Sequence, residues 1–471
     1  MQSAKLLVVA CVTALGLVWP LADAAAQEDA KVTREQATKL FREGNYDEAF
    51  TKYKALALTA GRADGGDFSS VVFCLQQLGR IDECDAILEE AAALHKDSWP
   101  LLEALADTYY NLEHYGFIIA GQFARGRHRG GGRWVMTEER DRIRSLQLIE
   151  AARLLAEKDA PKNALAGLCL NYATKLIGYR GYNDSWRLQY LTDLAILPDY
   201  EEGRYHGGGQ TAGAPVDADG NPVFHRIPKD FESAASDGER WRWLLVQAME
   251  LDEGRKLPVL MQFADFLSQQ FGAETLAYYG GRWGGWGMAD EDGGAQQTGN
   301  LLQLHTLKDT ETIARLATGV KRFDLPNEYN FIRIFQQVAA AGKSGYGEQA
   351  LERLARLFEN RRQYPRAADY WRRLIEQYGP GHNNYREAQL KQITGNWGRF
   401  EPVKATARGA APTVDFVFRN GRKVEFEAQP VDVARLLADV KEYLESNPGK
   451  LDWQRTRVDE IGYRLVEQNE T

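Results

Sequence analysis

The side chains that most often carry catalysis or bind metals are scattered through this sequence. Seven histidines occur, and none is spaced from another histidine or from a cysteine as zinc ligands are. The sequence contains no nucleophile elbow G-x-S-x-G, no metalloprotease motif H-E-x-x-H and no phosphate-binding P-loop. It therefore predicts a protein that is not an enzyme and that uses neither a metal nor a cofactor.

The nearest approach to a metal site is the run Asp217-Ala218-Asp219-Gly220-Asn221, which begins like a calcium-binding loop. In such a loop the glycine stands at the sixth position and a bidentate glutamate at the twelfth. Here the glycine stands fourth, and the twelfth residue is Pro228. We therefore expect a plain turn that joins Val216 and Val223 in a short hairpin.

An aromatic cluster in a glycine-rich loop at 278–299 is the first candidate for partner binding. Its members are Tyr278, Tyr279, Trp283 and Trp286. Tyrosine and tryptophan anchor many interfaces, and they also dominate cores. The sequence therefore leaves two alternatives open, a surface for a peptide or glycan and a cover over neighbouring helices.

A basic glycine-rich loop is the second candidate, and it carries Arg127, Arg129 and Arg133. It can hold an anionic partner, although charge runs in loops are usually only solvated. The chain as a whole is acidic, with a net charge of −8 and a pI near 5.6. General nucleic-acid binders are usually basic, so we expect protein partners and no nucleic acid.

A repeat organises the N-terminal part of the chain. One local pattern starts at Gly44, Gly79 and Glu113, in steps of 35 and 34 residues. This is the period of the tetratricopeptide repeat, a helix–turn–helix unit that stacks on its neighbours and leaves a concave surface. The predicted fold is therefore mainly α, a tetratricopeptide-like α-solenoid with loop insertions and a small α+β C-terminal segment.

Each unit reads as two helices joined by a short turn. Gly44-Asn45 ends the first helix, because glycine accepts a positive φ at a C-terminal cap, and Tyr46 begins the second. The same pattern recurs at 351–378, where Arg361-Arg362-Gln363 forms the predicted turn.

Changes in composition predict the remaining boundaries. After the repeats at 30–125 come helical hairpins with the basic loop at 126–199 and a loop insertion with a short hairpin at 200–236. Helical repeats follow at 237–395, with helices returning at about Thr310 after the aromatic loop, and an α+β segment covers 396–471. In that last segment the pattern predicts a bulged hairpin that pairs Phe416 with Val424, then a helix over 433–444 and a strand over 461–466.

The N-terminus, residues 1–26, reads as a cleaved signal peptide. Lys5 precedes an apolar run that is too short for a membrane span, and Ala22-Asp23-Ala24 is a small-x-small cleavage site. A lipoprotein site at Cys11 is disfavoured, because the apolar run continues well past it. We expect a periplasmic or secreted protein with no membrane span after the signal peptide is removed.

Three cysteines remain after this signal, Cys74, Cys84 and Cys169. Export permits disulfides, and Cys74 and Cys84 are predicted to lie on the two helices of one repeat. Free cysteine is also among the most buried residue types, so we favour small buried thiols over a disulfide.

Three runs carry a family resemblance. They are residues 392–402 (QITGNWGRFEP), residues 461–469 (IGYRLVEQN), which follow Leu451-Asp452-Trp453, and residues 312–323 (TIARLATGVKRF). Together they resemble the region of large bacterial alpha-2-macroglobulin-like proteins that carries N-terminal tetratricopeptide repeats. None of the three is a catalytic motif.

The resemblance implies a cell-envelope protein related to protease inhibitors that trap their targets. In that family macroglobulin-like β-domains follow, often with a bait region and sometimes with a reactive thioester. This sequence ends at Thr471, about where those domains are expected to begin, so no trapping residue is carried over. Cys74-Leu75-Gln76-Gln77 departs from the thioester pattern Cys-x-Glu-Gln at its third position and lies in a predicted helix.

The leading hypothesis is an exported, non-enzymatic repeat scaffold that binds protein partners in the cell envelope. The alternative is a free-standing periplasmic module that binds a peptide or a glycan through the aromatic loop. A hydrolase with an unrecognised site ranks last, because no acid–base pair or activated nucleophile stands out in the sequence.

Overall fold

The structure is a computed structural model that describes residues 27–179, 181–202, 213–275, 303–402, 411 and 413–427, with six single positions between 434 and 445. The chain divides into two compact units, residues 1–389 and residues 390–471. The described part is mainly helical and carries a few small sheets. Within these ranges, no helix combines the length and the apolar composition that a bilayer crossing needs.

Five helices open the first unit, in the order that the repeat pattern predicts. They are α1 (27–42), α2 (Tyr46–Ala57), α3 (Gly65–Leu78), α4 (Cys84–Leu94) and α5 (Trp99–Tyr110). The predicted break after α1 is confirmed, because Gly44 has a φ of 83°. Gly79 ends α3 in the same left-handed conformation, with a φ of 68°.

The prediction of a helix over 113–125 is wrong, because this stretch forms two strands, β1 (Tyr115–Ile119) and β2 (Gln122–Arg125). Ala120 and Gly121 join them with φ angles of 50° and 83°. A two-residue turn with two positive φ angles matches the twist of a hairpin. A Cβ on Gly116 would lie 2.3 Å from the carbonyl oxygen of Ala124, so glycine permits this close pairing.

The hairpin belongs to a four-stranded antiparallel sheet in the order β2-β1-β3-β4. The other two strands are β3 (Arg133–Met136) and β4 (Glu201–Glu202). The basic glycine-rich loop connects β2 to β3. The helical hairpin predicted after it is present, as α6 (Glu138–Asp159) and α7 (Lys162–Ile177).

The turn at Asp217 is the plain turn that the sequence predicts. The backbone N–H of Asp217 donates to the carbonyl of Asn221 at 2.9 Å. The carboxylate of Asp217 accepts from the backbone N–H groups of Asp219 and Asn221. Val216 and Pro222 form an antiparallel bridge beside it. The helices α8 (Asp237–Leu251) and α9 (Lys256–Phe271) follow.

The prediction that helices return at about Thr310 is also wrong, because β5 (Glu311–Leu316) and β6 (Gly319–Asp324) form an antiparallel hairpin. The β-branched Thr312 lies against α9, where its hydroxyl donates to the carbonyl of Phe271 at 2.6 Å. Residues with two heavy atoms on Cβ favour such a pleated, half-buried surface.

Helices resume after this hairpin, and the predicted pair around the Arg361-Arg362-Gln363 turn is confirmed. They are α10 (Phe331–Ala340), α11 (Gly345–Asn360), α12 (Tyr364–Tyr378) and α13 (Tyr385–Thr394). Phe358 of α11 stacks on Tyr370 of α12, with ring centroids 5.4 Å apart. Trp371 of α12 is completely buried.

The bulged hairpin predicted in the second unit is wrong. Strand β8 (Phe416–Arg419) pairs with the earlier β7 (Trp397–Phe400), and Phe416 lies opposite Phe400 rather than Val424. Alternation along one strand defines its apolar face but does not select its partner. The six positions described between 434 and 445 are helical, as predicted, whereas the predicted strand at 461–466 lies outside the described residues.

All three cysteines of the described chain are free and buried, which confirms the plain interpretation. Burial raises the pKa of the Cys74 thiol to about 11, so this thiol stays protonated and packs as a small apolar group.

Candidate functional site

The aromatic cluster predicted as a binding surface lies outside the described residues. Tyr278, Tyr279, Trp283 and Trp286 all fall within 276–302, which the structure does not describe. The choice between a ligand surface and a cover over the helices therefore stays open.

The basic loop is described, and its three arginines Arg127, Arg129 and Arg133 are exposed. The guanidinium of Arg133 forms an ion pair with the carboxylate of Glu202 on β4, so part of the predicted positive surface is neutralised. No carboxylate pairs with Arg127 or Arg129 in the part of the chain that the structure describes.

Arg125 stands at the start of the same basic run, yet it is buried. Its guanidinium bonds to Asp85 of α4 at 2.6 and 2.9 Å and to Asp141 of α6 at 2.7 and 2.8 Å. Burial acts to raise the pKa of Asp141, but hydrogen bonds from His114, Arg125 and Thr137 outweigh it, and the pKa lies below its usual value. Arg125 therefore fastens the sheet to the helices.

Two concave features lie on the first helices of the repeats, one between α3 and α5 and one along α1, and we call them together the repeat groove. A cavity of about 390 Å³ lies between α3 and α5. Its walls are formed by Gly65, Ser69, Val72, Phe73, Gln76, Ala104, Asp107, Thr108 and Asn111. A second hollow, of about 690 Å³, runs along α1 from Lys31 to Glu43.

Small residues allow the two helices to form this cavity. A Cβ added at Gly65 of α3 would lie 2.8 Å from the Cβ of Ala104 on α5, which is closer than two such atoms can pack. The glycine at this position therefore sets the distance between the helices at one end of the cavity.

Phe73 is the aromatic side chain of the groove, and 41% of it is exposed. Its ring lies 5.0 Å from Phe41 of α1 and 6.4 Å from Tyr46 of α2. An exposed aromatic ring that is held by two others is already positioned when a partner arrives, so little side-chain entropy is lost on binding.

The two ends of the groove differ in charge. On α1, Arg34 pairs with Asp67 at 2.7 Å, whereas no carboxylate pairs with Lys31 or Arg42 in the described chain. The hollow is also lined by the carboxylates of Glu35 and Glu43, so its four cations leave the α1 end with only a small positive charge.

At the α5 end, the side-chain amide of Asn171 donates to the carboxylates of Glu103 at 2.9 Å and Asp107 at 3.0 Å. Lys175 of α7 pairs with Asp107 and is almost fully buried. Burial lowers the pKa of this lysine and raises the pKa of Glu103. The end is therefore rich in acceptors and has no unpaired cation among these residues.

The groove offers recognition groups rather than a reaction centre. Gln76 on α3 and Asn111 on α5 carry amides, which both donate and accept hydrogen bonds, as the backbone of an extended peptide does. Over the described ranges, no group of three or more metal-ligating side chains converges.

Sequence reasoning missed these lining residues because it followed the buried stripe of each helix. Ser69, Phe73 and Gln76 recur at helical spacing, and this signal identifies a second face of α3. Comparisons with known proteins add no assignment, because no family model matches the chain and no curated protein matches its sequence.

Proposed function

We propose that this protein is an exported, non-enzymatic repeat scaffold that resembles the N-terminal part of bacterial alpha-2-macroglobulin-like protease-inhibitor proteins. We further propose that its helices form a tetratricopeptide-like α-solenoid. The successive hairpins α1–α2 and α3–α4, with the 35-residue step from Gly44 to Gly79, support the solenoid. The hairpins α6–α7 and α11–α12 extend the same construction along the chain.

The observation that carries the proposal is the exposed ring of Phe73 in an open groove between helices. An extended segment of a partner protein lies along the groove and places an apolar side chain on this ring. Its backbone bonds to the amides of Gln76 and Asn111, while the cations Lys31 and Arg42 favour acidic residues of the partner at the α1 end.

The partner is a protein of the cell envelope, since residues 1–26 have the pattern of a cleaved signal peptide. The resemblance points to the same compartment. A scaffold in this place recruits or positions other envelope proteins.

Site-specific photo-crosslinking in the source cells tests the groove. A photoreactive amino acid at Ser69, exposed in the groove, is expected to give one discrete protein adduct, because the partner lies directly over it. The same amino acid at Glu90, exposed on α4 outside the groove, is the matched control and gives no such adduct.

Phe73→Ala should remove the Ser69 adduct without unfolding the protein. An adduct that persists in Phe73→Ala, or one that forms equally from Glu90, would contradict binding through the groove. The adduct's mass spectrum identifies the partner and decides whether it is an envelope protein.

A further inference from the structure

A segment without regular secondary structure, residues 190–200, leads into β4, and the N-terminus of α8 fixes its first half. The backbone N–H of Asp237 donates to the carbonyl of Tyr190 at 2.7 Å. The buried carboxylate of Asp237 accepts from the backbone N–H and from the hydroxyl of Thr192. Arg240 donates to the carbonyl of Thr192 at 2.9 Å.

Helix α6 fixes the second half of the segment. The side-chain amide of Gln147 donates to the carbonyl of Leu194 at 3.0 Å, and the guanidinium of Arg140 donates to the carbonyl of Pro198. Because two helices hold the backbone at several points, the side chains that project from the segment are positioned before a partner arrives.

Three of these side chains are large, apolar and exposed. Tyr190 is 63% exposed, Leu191 48% and Ile196 62%. The ring of Tyr190 meets the ring of Trp186 edge to face, with centroids 6.2 Å apart. Exposed apolar residues that occur singly need no explanation, but three within seven positions of a fixed segment indicate a surface that another molecule covers.

Carboxylates accompany these apolar residues along the chain. The stretch 190–202 has no lysine or arginine and four carboxylates, those of Asp193, Asp199, Glu201 and Glu202. Glu202 pairs with Arg133 of β3, whereas no cation pairs with the other three in the part of the chain that the structure describes. All three are exposed.

The arginines around the segment do not neutralise these three carboxylates, because they are engaged elsewhere. Arg240 pairs with Asp237, and the charge of Arg140 acts on Glu89. Arg187, just before the segment, is held by carboxylates of α6. The exposed surface of the segment therefore carries a net negative charge.

We propose that the 190–202 surface, formed by the three exposed apolar residues and the three unpaired carboxylates, binds a basic amphipathic segment of a partner protein. Apolar side chains of the partner cover the exposed apolar residues, while its lysines or arginines pair with the carboxylates and lay their aliphatic stems along the same surface. The negative charge repels the phosphates of nucleic acids and of anionic lipids, so a protein is the partner that fits. The surface shares no residue with the lining of the repeat groove, and its binding does not depend on that groove.

Fluorescence anisotropy of the full chain with a labelled synthetic peptide tests the proposal. The probe is a short peptide of leucine and lysine with helical periodicity, and the matched probe carries glutamate in place of every lysine. We expect saturable binding of the leucine–lysine peptide, at least about tenfold weaker binding of the leucine–glutamate peptide, and a loss of affinity as salt is added.

Tyr190→Ser and Ile196→Ser should each weaken binding of the leucine–lysine peptide by about tenfold, because each removes a large apolar side chain from the contact. Tyr364→Ser is the matched control, since Tyr364 is 42% exposed on α12, outside this surface. Its affinity for the probe should equal that of the unaltered protein.

A second pair of variants tests the charges. Asp199→Asn combined with Glu201→Gln should weaken binding and reduce its dependence on salt. Glu376→Gln combined with Glu387→Gln changes the net charge of the protein equally at exposed positions on α12 and α13, and it should leave the affinity unchanged.

Four results would overturn the proposal. They are the absence of saturable binding, equal affinity for the leucine–glutamate peptide, unchanged affinity in both apolar variants, and an equal loss in the two charge variants. Phe73→Ala, in the repeat groove, should bind the probe as the unaltered protein does, and a loss there with none in Tyr190→Ser would place the probe in the groove and sink the proposal. Thermal melting verifies that each variant is folded, and the charge variants provide the comparison if an apolar variant is not.

Discussion

Arg125 and Asp85 lie 40 positions apart in the chain, and two hydrogen bonds of 2.6 and 2.9 Å join their side chains. The pair connects β2 to the first turn of α4. On its other side the same guanidinium holds Asp141 of α6. The sheet that replaces the expected third helical hairpin is thus fastened to the helices before and after it.

Replacing Arg125 by Gln should destabilise the protein by about 3–5 kcal/mol, because Asp141 is then left buried without its cation. Urea unfolding measures this loss. Arg127→Gln is the control, since this exposed arginine should change the free energy of unfolding by less than about 0.5 kcal/mol. Equal stability of the two variants would show that the buried pair contributes nothing net.

Acid should weaken the same junction. The pKa of Asp141 is depressed in the folded state, so below the pKa of the unfolded chain, about 4, the unfolded state binds more protons. The stabilisation is therefore complete above about pH 4 and is lost as the pH falls through the folded pKa. Unfolding free energies between pH 5 and 3 check this expectation, and Asp141→Asn should show the flatter curve.

His225 should produce a second loss of stability at a higher pH. Burial, aided by the charge of Arg242, lowers the pKa of this imidazole from 6.5 to about 4. Between these values the unfolded state binds the proton and the folded state does not, so stability decreases as the pH falls from 6.5 to 4, by about 3 kcal/mol over the window. His225→Asn should reduce the slope there, and a slope equal to that of the unaltered protein would contradict neutral burial.

Gly65→Ala should disturb the contact between α3 and α5, because the new Cβ would lie 2.8 Å from the Cβ of Ala104. Overpacking of this kind costs about 1–3 kcal/mol. The adjacent Gly66→Ala is the matched control, since its Cβ meets nothing closer than 3.5 Å. Thermal unfolding of the two variants should separate them, and a neutral Gly65→Ala would mean that the helices adjust freely.

Phe73→Ala should cost about 1 kcal/mol or less, because a side chain that is 41% exposed contributes only part of the burial energy of a core phenylalanine. If Phe73→Ala removes the partner adduct while lowering the free energy of unfolding by so little, the ring contributes to binding. A cost of 3 kcal/mol or more, as in a core phenylalanine, would assign it to the core instead. Urea unfolding of this variant beside Phe68→Ala, a fully buried neighbour on α3, provides the scale.

The local pattern of residues predicts most of the helices and where they end. The break at Gly44 and the turn before Tyr364 depend on neighbouring residues alone, and both were predicted. The repeat position of the apolar run Tyr115–Ile119 predicts a helix, although short apolar runs fit a strand equally well. The two-residue turn at Ala120 and Gly121 favours the strand, and pairing with β2 and β3 leaves that strand half-buried.

The amphipathic helices follow from local sequence, since an apolar stripe every three to four residues favours a helix before any other segment packs against it. The roles of the polar residues depend instead on how the elements pack. Arg125 reads as one more arginine of an exposed basic loop, and it became a buried anchor because β2 brings it between Asp85 and Asp141. Which residues form an ion pair across many positions in the chain depends on how whole helices and strands pack, and local periodicity does not encode it.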